Sequence, residues 1–296
     1  MNYLCIMHYS TNRLRDVKNA MLRKLRESYP PEEAGSMVNQ LIFQFMGLTR
    51  AEQQLRGESL LSESQIVRFH KALQRLLAGE PLQYVLGHTE FYGLDLEVGP
   101  EVLIPRPETE ELVERVLAAH PEPECRVLDM GTGSGCIALA LKSMRKNWDI
   151  MAVDISLPAL ALARRNSEKH ALAVDFRNCD ILSPAECLDK TGKPFHIIVS
   201  NPPYVRKSER KFMAKNVLDF EPETALFVED RDPLLYYREM ATFARRALVA
   251  GGAIYWEVNE NLAGETAALL REMFFVDVEI FNDIRGKQRF VGAKKP

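Results

Sequence analysis

The chain has 296 residues, 46% of them hydrophobic and 27% charged, with a formal net charge of −3. This composition is typical of a globular protein with one large domain or two unequal ones. The charge gives no electrostatic reason to expect direct nucleic-acid or membrane binding, and no apolar run reaches the ~18 residues of a membrane span.

The cysteines argue against a disulfide framework or a zinc site and favour a reducing, cytoplasmic environment, because they are odd in number and show no CxxC spacing. They are Cys5, Cys125, Cys136, Cys179 and Cys187. We therefore expect no metal.

The N-terminal part of the chain is predicted to be a small helical bundle. Residues 11–80 carry apolar stripes at helical spacing, and the segments beginning at Thr49 and Ser62 are typical of capping boxes. The following segment, TEFYGLDLEVGPEVLIP, alternates apolar and polar residues around Gly99-Pro100, which predicts a hairpin turning there. We expect a helical domain over 1–85, a hairpin linker over 86–106 and a second domain over 107–296.

The second domain alternates short apolar strands with amphipathic helices, the pattern of an α/β protein with a mostly parallel sheet. The predicted strands are RVLDM, DIMAVD, LAVDF, HIIVS, AIYWEV, FVDVEI and QRFVGA. Only FNDIRGK separates the last two, too short for a crossover, so they should be antiparallel. A seven-stranded parallel sheet with an antiparallel edge is typical of the Rossmann-like class I methyltransferases.

A glycine-rich turn follows the first strand of this domain. A dinucleotide site would require a glycine at position 136, where the chain has Cys136. The observed order, D-x-G-x-G-x-G, instead favours S-adenosylmethionine, which has an ammonium group and no phosphate. The predicted cofactor residues of this turn are Asp129, Gly131, Thr132, Gly133, Ser134 and Gly135.

Two further aspartates follow the next strands and extend the predicted cofactor site. Asp154 is placed to accept hydrogen bonds from the ribose hydroxyls, and Asp180 from the adenine amine, with Ile181 against the ring. The alternative interpretation is a glycine turn accompanied by surface aspartates.

The sequence Asn201-Pro202-Pro203-Tyr204 follows the fourth strand, at the carboxyl edge where open α/β sheets bind ligands. Two prolines hold the backbone rigidly, so the Asn201 side-chain oxygen and the Pro202 carbonyl could accept both N–H groups of a planar amine or amide. Tyr204 could cover that group. We predict Asn201, Pro202 and Tyr204 to be catalytic and all four residues to bind substrate; the alternative is an ordinary Asn-Pro turn.

Several motifs resemble those of the peptide chain release factor glutamine methyltransferases, the PrmC/HemK family. They are PLQYVLGHTEFYG, LIPRPETEELVE, VLDMGTGSGCIALAL, SNPPY, EPETAL and DIRGKQR, and they lie within residues 80–296. One departure is visible, because the family commonly has Glu-Ile-Gly where this chain has Glu257-Val258-Asn259.

The resemblance implies transfer of a methyl group from S-adenosylmethionine, leaving S-adenosylhomocysteine, and it adds Asn201 to the cofactor-binding residues. The acceptor would be the side-chain amide nitrogen of the glutamine in the Gly-Gly-Gln loop of class I release factors. The helical region would dock the release factor.

Three alternatives remain open from the residues. A ribosomal-protein glutamine methyltransferase would carry the same Asn-Pro-Pro-Tyr motif. A DNA adenine methyltransferase would need a basic face, yet residues 1–95 hold eleven Lys or Arg against ten Asp or Glu. A non-catalytic binding module would be expected to have lost the glycines or Asn201. The basic segment RKSERK, residues 206–211, is predicted to be a solvated loop, or alternatively a mobile lid.

Overall fold

The computed structural model describes residues 11–184 and 193–296, so Cys5 and Cys187 lie outside the described residues. The chain divides into two compact units. One runs through Gly87 and also includes Lys215–Phe220, and the other comprises His88–Ala214 and Glu221–Pro296. No helix among the described residues is both long and apolar enough to cross a membrane.

The first unit is helical, as the sequence predicts. Its described helices are α1 (Leu14–Leu25), α2 (Pro31–Met46), α3 (Arg50–Leu55), α4 (Glu63–Leu77) and α5 (Leu82–Leu86). The capping boxes at Thr49 and Ser62 are confirmed: each side chain accepts the N–H three residues on, and the Glu52 or Gln65 side chain accepts the cap residue's own N–H. Leu41, Phe69 and Leu76 are among the fully buried side chains of this unit's core.

The hairpin that opens the second unit turns earlier than predicted. Strands β1 (His88–Phe91) and β2 (Leu94–Glu97) pair in antiparallel fashion, with Tyr92 and Gly93 between them. Both turn residues have positive φ, 50° and 74°, as a two-residue turn matching the strand twist requires. The hairpin therefore does not turn at Gly99-Pro100 as predicted; the chain instead makes a separate tight turn there, in which the Val102 N–H donates to the Gly99 carbonyl at 3.1 Å.

The rest of the second unit alternates strands with helices. The strands are β3 (Arg126–Met130), β4 (Asp149–Asp154), β5 (Asp175–Asn178), β6 (Phe195–Ser200), β7 (Val205–Arg206), β8 (Phe227–Val228), β9 (Leu248–Glu257), β10 (Val276–Asn282) and β11 (Gln288–Lys294). The helices are α6 (Pro107–Ala119), α7 (Cys136–Met144), α8 (Leu157–Lys169), α10 (Glu223–Leu226), α11 (Leu235–Ala247) and α12 (Ala263–Glu272), with α9 (Lys215–Phe220) assigned to the first unit.

The predicted seven-stranded sheet is confirmed, with the order β10-β11-β9-β6-β3-β4-β5. Strands β9, β6, β3, β4 and β5 run parallel, and β11 pairs in antiparallel fashion with both β9 and β10. Strand β5 begins at Asp175 rather than at Leu172 as predicted. The chain reverses its direction of winding between β3 and β6, which is where ligands bind in such sheets.

Buried apolar residues fill both faces of the sheet. Trp256 and Tyr237 belong to one cluster, and Trp148 and Leu139 to the other. Among the described cysteines, Cys125 and Cys136 are free, whereas Cys179 is disulfide-bonded. The expectation against disulfides is therefore wrong for Cys179.

Candidate active site

Three strand ends meet at the carboxyl edge of the sheet. Met130 of β3 pairs with Ser200 of β6, and Ser200 pairs in turn with Trp256 of β9. The buried Ser200 hydroxyl donates to the Met130 carbonyl at 2.6 Å. The residues that follow, Gly131, Asn201 and the strand-terminal Glu257, are therefore held side by side by the sheet register.

The glycine turn is a tight backbone loop anchored to the neighbouring strand. The N–H groups of Gly131 and Thr132 both donate to the Val153 carbonyl at 2.9 Å. Gly131, Gly133 and Gly135 have φ values of 74°, 54° and 83°, in the left-handed region that favours glycine. A Cβ atom on Gly133 would have no neighbour within 4 Å, so the backbone there is open to a ligand.

Asp129 lies beneath this turn and is fully buried. The Thr132 hydroxyl donates to its Oδ2 atom at 2.6 Å. Burial raises the pKa of Asp129 to about 7, although the hydrogen bonds from Thr132 and the Ala138 N–H oppose that shift. The carboxyl group is thus a buried acceptor whose charge is sensitive to what lies next to it.

Asp154, at the end of β4, ties the turn to the next loop. Its Oδ2 atom accepts the Gly133 N–H at 2.8 Å and its Oδ1 atom accepts the Ser156 N–H at 2.9 Å. Burial raises its pKa, against the effect of these donors. Asp180 accepts the Leu182 N–H at 2.9 Å, and the buried Ile181 side chain approaches Gly131. The structure therefore brings Asp154 and Ile181 to the glycine turn.

The Asn201–Tyr204 segment is held by side chains from other parts of the unit. The Asn201 Nδ2 atom donates to Thr109 Oγ1 at 3.2 Å, and that hydroxyl donates to Glu257 Oε2 at 2.7 Å. The Tyr204 hydroxyl donates to Glu257 Oε1 at 3.0 Å. Within residues 11–184 and 193–296, no donor reaches Asn201 Oδ1 or the Pro202 carbonyl.

Glu257 and Thr109 are site residues that the sequence analysis did not identify. Glu257 is 1% exposed and Thr109 2% exposed, and burial raises the pKa of Glu257 while its donors Thr109 and Tyr204 lower it. A carboxylate closing a buried strand next to the Asn-Pro-Pro-Tyr strand was a signal for Glu257. For Thr109, the only signal in the sequence was its position within the LIPRPETEELVE motif.

The segment after Tyr204 forms a short strand, β7, and a 3₁₀ helix over Lys207–Phe212. Residues 206–211 are therefore largely solvated, as predicted, but they are not an irregular loop. Asn259, which departs from the family pattern, donates from Nδ2 to Glu209 Oε2 at 3.0 Å and to the Tyr204 carbonyl at 3.4 Å. Glu209 also accepts from the Arg206 backbone and guanidinium, both at 2.9 Å. The extra side chain thus anchors this segment to the end of β9.

The motif EPETAL contributes a buried carboxylate beside the site. The Glu221 carboxylate accepts hydrogen bonds from the Arg106 guanidinium at 2.6 Å and from the Ile104 N–H at 3.1 Å. This pair fixes the chain that leads into α6 and hence the position of Thr109. In the described ranges, no three His, Cys, Asp or Glu side chains are grouped to hold a metal ion.

Two family models match the chain: the PrmC N-terminal domain over residues 19–87, and the Methyltransferase small domain over residues 108–223. The chain is also similar to a solved structure titled as a methyltransferase from Pyrococcus furiosus. That likeness has a TM-score of 0.51 at 18% identity and covers 79% of this chain and 99% of the other. It supports the fold.

Two curated relatives align over nearly their whole length. A release factor glutamine methyltransferase from Bacteroides thetaiotaomicron is 39% identical over 273 residues, covering 92% of this chain and 97% of the relative. The protein of the same name from Flavobacterium psychrophilum is 36% identical over 282 residues, covering 94% and 98%. The chain therefore belongs to the release factor glutamine methyltransferase family.

Proposed function

We propose that the protein transfers a methyl group from S-adenosylmethionine to the side-chain amide nitrogen of a glutamine in a class I peptide chain release factor, within its Gly-Gly-Gln loop. The observation that carries this proposal is the orientation of Asn201. Its amide nitrogen is engaged by Thr109, so its oxygen is the atom left to accept a donor. The names of the relatives support the substrate class.

The residues at the glycine turn fit S-adenosylmethionine. The turn presents open backbone at Gly133, and three aspartates at or after neighbouring strand ends are acceptors. Asp129 and Asp154 suit an ammonium group and ribose hydroxyls, and Asp180 suits an exocyclic amine. Ile181 offers an apolar surface for the adenine ring. Bound here, the cofactor would supply an electrophilic methyl group on a sulfonium.

The Asn201–Tyr204 segment is proposed to bind the acceptor amide. A carboxamide has two N–H donors, and two acceptors of this segment, Asn201 Oδ1 and the Pro202 carbonyl, receive no donor from the described part of the chain. Pro203 helps to keep them at a fixed spacing, because proline restricts the backbone at itself and at the preceding residue. Tyr204 would cover the planar group and exclude water.

This arrangement addresses the main chemical difficulty of the reaction. An amide lone pair is delocalised and weakly nucleophilic, so orientation and preorganised dipoles have to promote the attack. Acceptors fixed on both N–H groups stabilise the positive charge that develops on nitrogen. The methylated nitrogen then loses its proton readily, so no strong general base is needed.

The helical unit is proposed to dock the release factor. It contains a cavity of about 960 Å³, whose lining includes the cations Lys18, Arg26 and Arg50. The Lys18 ammonium donates to Asn39 at 2.7 Å and to Gln53 at 2.8 Å. These cations would favour an acidic segment of the partner. A release-factor substrate also implies a cytoplasmic enzyme.

Incubation with labelled S-adenosylmethionine tests the proposed function. The acceptors would be a release factor, its Gln→Ala variant in the Gly-Gly-Gln loop, ribosomal protein and DNA, each presented separately. We expect label on the intact release factor and none on the variant. Label on ribosomal protein or on DNA instead would support the corresponding alternative activity and refute this one.

A further inference from the structure

A chain of hydrogen bonds runs from the end of β9 to Asn201, in the Asn201–Tyr204 segment that is proposed to bind the acceptor amide. It passes from Glu257 Oε2 through the Thr109 hydroxyl to Asn201 Nδ2, over distances of 2.7 and 3.2 Å. Thr109 is 2% exposed and Glu257 1% exposed, so water does not replace these partners.

The direction of each bond in this chain is set by the carboxylate. An ionised Glu257 can only accept, so the Thr109 proton must point toward it. The Thr109 oxygen then has only lone pairs left to offer Asn201, and must receive an N–H from the amide. Asn201 is thereby turned with Nδ2 inward and Oδ1 outward.

We propose that Glu257 and Thr109 are positioning residues that act through Asn201, fixing which end of its amide faces the substrate. This proposal rests on the proposed function, because it assigns the hydrogen-bond relay from Glu257 through Thr109 to Asn201 a role in binding the acceptor amide of that reaction. In this role neither residue would touch the substrate, because both are buried behind Asn201. Without the relay, Asn201 could present either its oxygen or its amino group, and only the oxygen accepts an N–H of glutamine.

The relay reverses when Glu257 is protonated. A carboxylic acid donates a hydrogen bond, so Thr109 would accept from Glu257 and donate to Asn201, which would turn Oδ1 inward. Burial raises the pKa of Glu257. Transfer should therefore proceed above this raised pKa and decline as the pH falls through it.

The charged and titratable groups around Glu257 come from several elements. They are Glu108 on α6, Cys136 on α7, Tyr204 after β6, Tyr237 on α11 and Arg289 on β11. Arg289 favours the ionised carboxylate and Glu108 opposes it. The Tyr204 hydroxyl donates to the second carboxylate oxygen, which likewise favours the ionised form.

Matched variants at position 109 separate the relay from simple packing. Thr109→Val keeps the shape of the side chain and removes the hydroxyl, whereas Thr109→Ser keeps the hydroxyl and removes a methyl group. We expect Thr109→Val to lower kcat/KM for the release factor by about 100-fold, as loss of a preorganised contact does. Thr109→Ser should retain most of the activity, and calorimetry should show both variants binding S-adenosylmethionine as the wild type does.

The pH profile provides a second measurement that a purely structural role would not change. With S-adenosylmethionine saturating, kcat of the wild type and of Thr109→Ser should fall on the acid side. Glu257→Gln should change that acid limb, because its amide does not titrate, whereas Asp129, whose pKa burial raises to about 7, titrates in both proteins. This test requires only the wild type and Glu257→Gln, so it holds even if Thr109→Val fails to fold.

The outcomes distinguish this proposal from the proposed function. Equal rates for the wild type and Thr109→Val, or the same acid limb in the wild type and Glu257→Gln, would overturn the relay alone. If the wild type itself transferred no methyl group to the release factor, the proposed function would fail, and the relay with it.

Discussion

The two loops beside the switch point of the sheet are built in opposite ways. The glycine turn, Gly131–Gly135, is held mainly through its backbone N–H groups, which donate to the Val153 carbonyl and the Asp154 carboxylate, and its shape depends on three left-handed glycines. The Asn201–Tyr204 segment contains two prolines and no glycine, and its side chains are held by Thr109 and Glu257, 92 and 53 positions away in sequence.

The difference is consistent with the role that we propose for each loop. A cofactor that lies against bare backbone needs a loop without side chains, which glycine provides. An acceptor amide that must be aimed needs two oxygens fixed in space, which proline and a buried hydrogen-bond network provide. We therefore expect changes in the glycine turn to alter stability and cofactor affinity, and changes around Asn201 to alter transfer.

The largest effect is expected at Asn201. Asn201→Ala removes one of the two acceptors and should lower kcat by about 100-fold or more, while S-adenosylmethionine still binds. The matched variant at the other loop is Asp154→Ala, which removes the acceptor of the Gly133 N–H and should chiefly weaken cofactor binding in calorimetry. Near-normal turnover by Asn201→Ala, or unchanged cofactor affinity in Asp154→Ala, would contradict the division of roles.

The next largest effect is expected at Tyr204. Tyr204→Ala should reduce transfer severely because the ring no longer covers the amide. Tyr204→Phe keeps the ring and removes one donor to Glu257, so we expect a loss of about tenfold, the low end of the ~1.5–3 kcal/mol that a hydrogen bond to a charged group contributes. Steady-state rates with the release factor measure both. If the two variants were equally impaired, the hydroxyl rather than the ring would be responsible.

A stability effect is expected in the glycine turn. A Cβ atom on Gly135 would lie 3.2 Å from Leu139 and 3.3 Å from Ala163, at a φ of 83°. Gly135→Ala should therefore lower the free energy of unfolding by about 2–4 kcal/mol, from the left-handed backbone and overpacking together.

Gly133→Ala is the matched control for Gly135→Ala, since its φ is also positive but its Cβ atom would meet nothing within 4 Å. It should lose only about 1–2 kcal/mol, the backbone contribution. Urea denaturation of both variants checks the difference. Equal losses would show that packing against Leu139 and Ala163 is unimportant.

The smallest effect is expected at Asn259. Asn259→Gly restores the residue common in the family and removes the hydrogen bonds to Glu209 and the Tyr204 carbonyl. Because Arg206 still holds Glu209, we expect KM for the release factor to rise only about threefold, the worth of less than 1 kcal/mol of net hydrogen bonding. A change in kcat with KM unaltered would place Asn259 in the chemical step instead.

The same contrast between the loops explains what the sequence could predict. The glycine turn is contiguous and follows a strand, so its residues and their place in the fold were readable. Thr109 and Glu257 contribute to the candidate site through tertiary contacts with residues far away in the sequence. No local sequence pattern reveals such contacts. The predicted position of the hairpin turn was wrong because Gly99-Pro100 is a stronger turn signal than Tyr92-Gly93. A left-handed conformation at Tyr92 is uncommon for a residue other than glycine, so the sequence did not indicate it.

A crystal structure with S-adenosylhomocysteine and a Gly-Gly-Gln peptide would test the central claim most directly. We expect the glutamine amide nitrogen within hydrogen-bond distance of both Asn201 Oδ1 and the Pro202 carbonyl, with Asn201 Nδ2 still on Thr109. A glutamine bound elsewhere, or an Asn201 side chain facing away from the cofactor sulfur, would contradict the account.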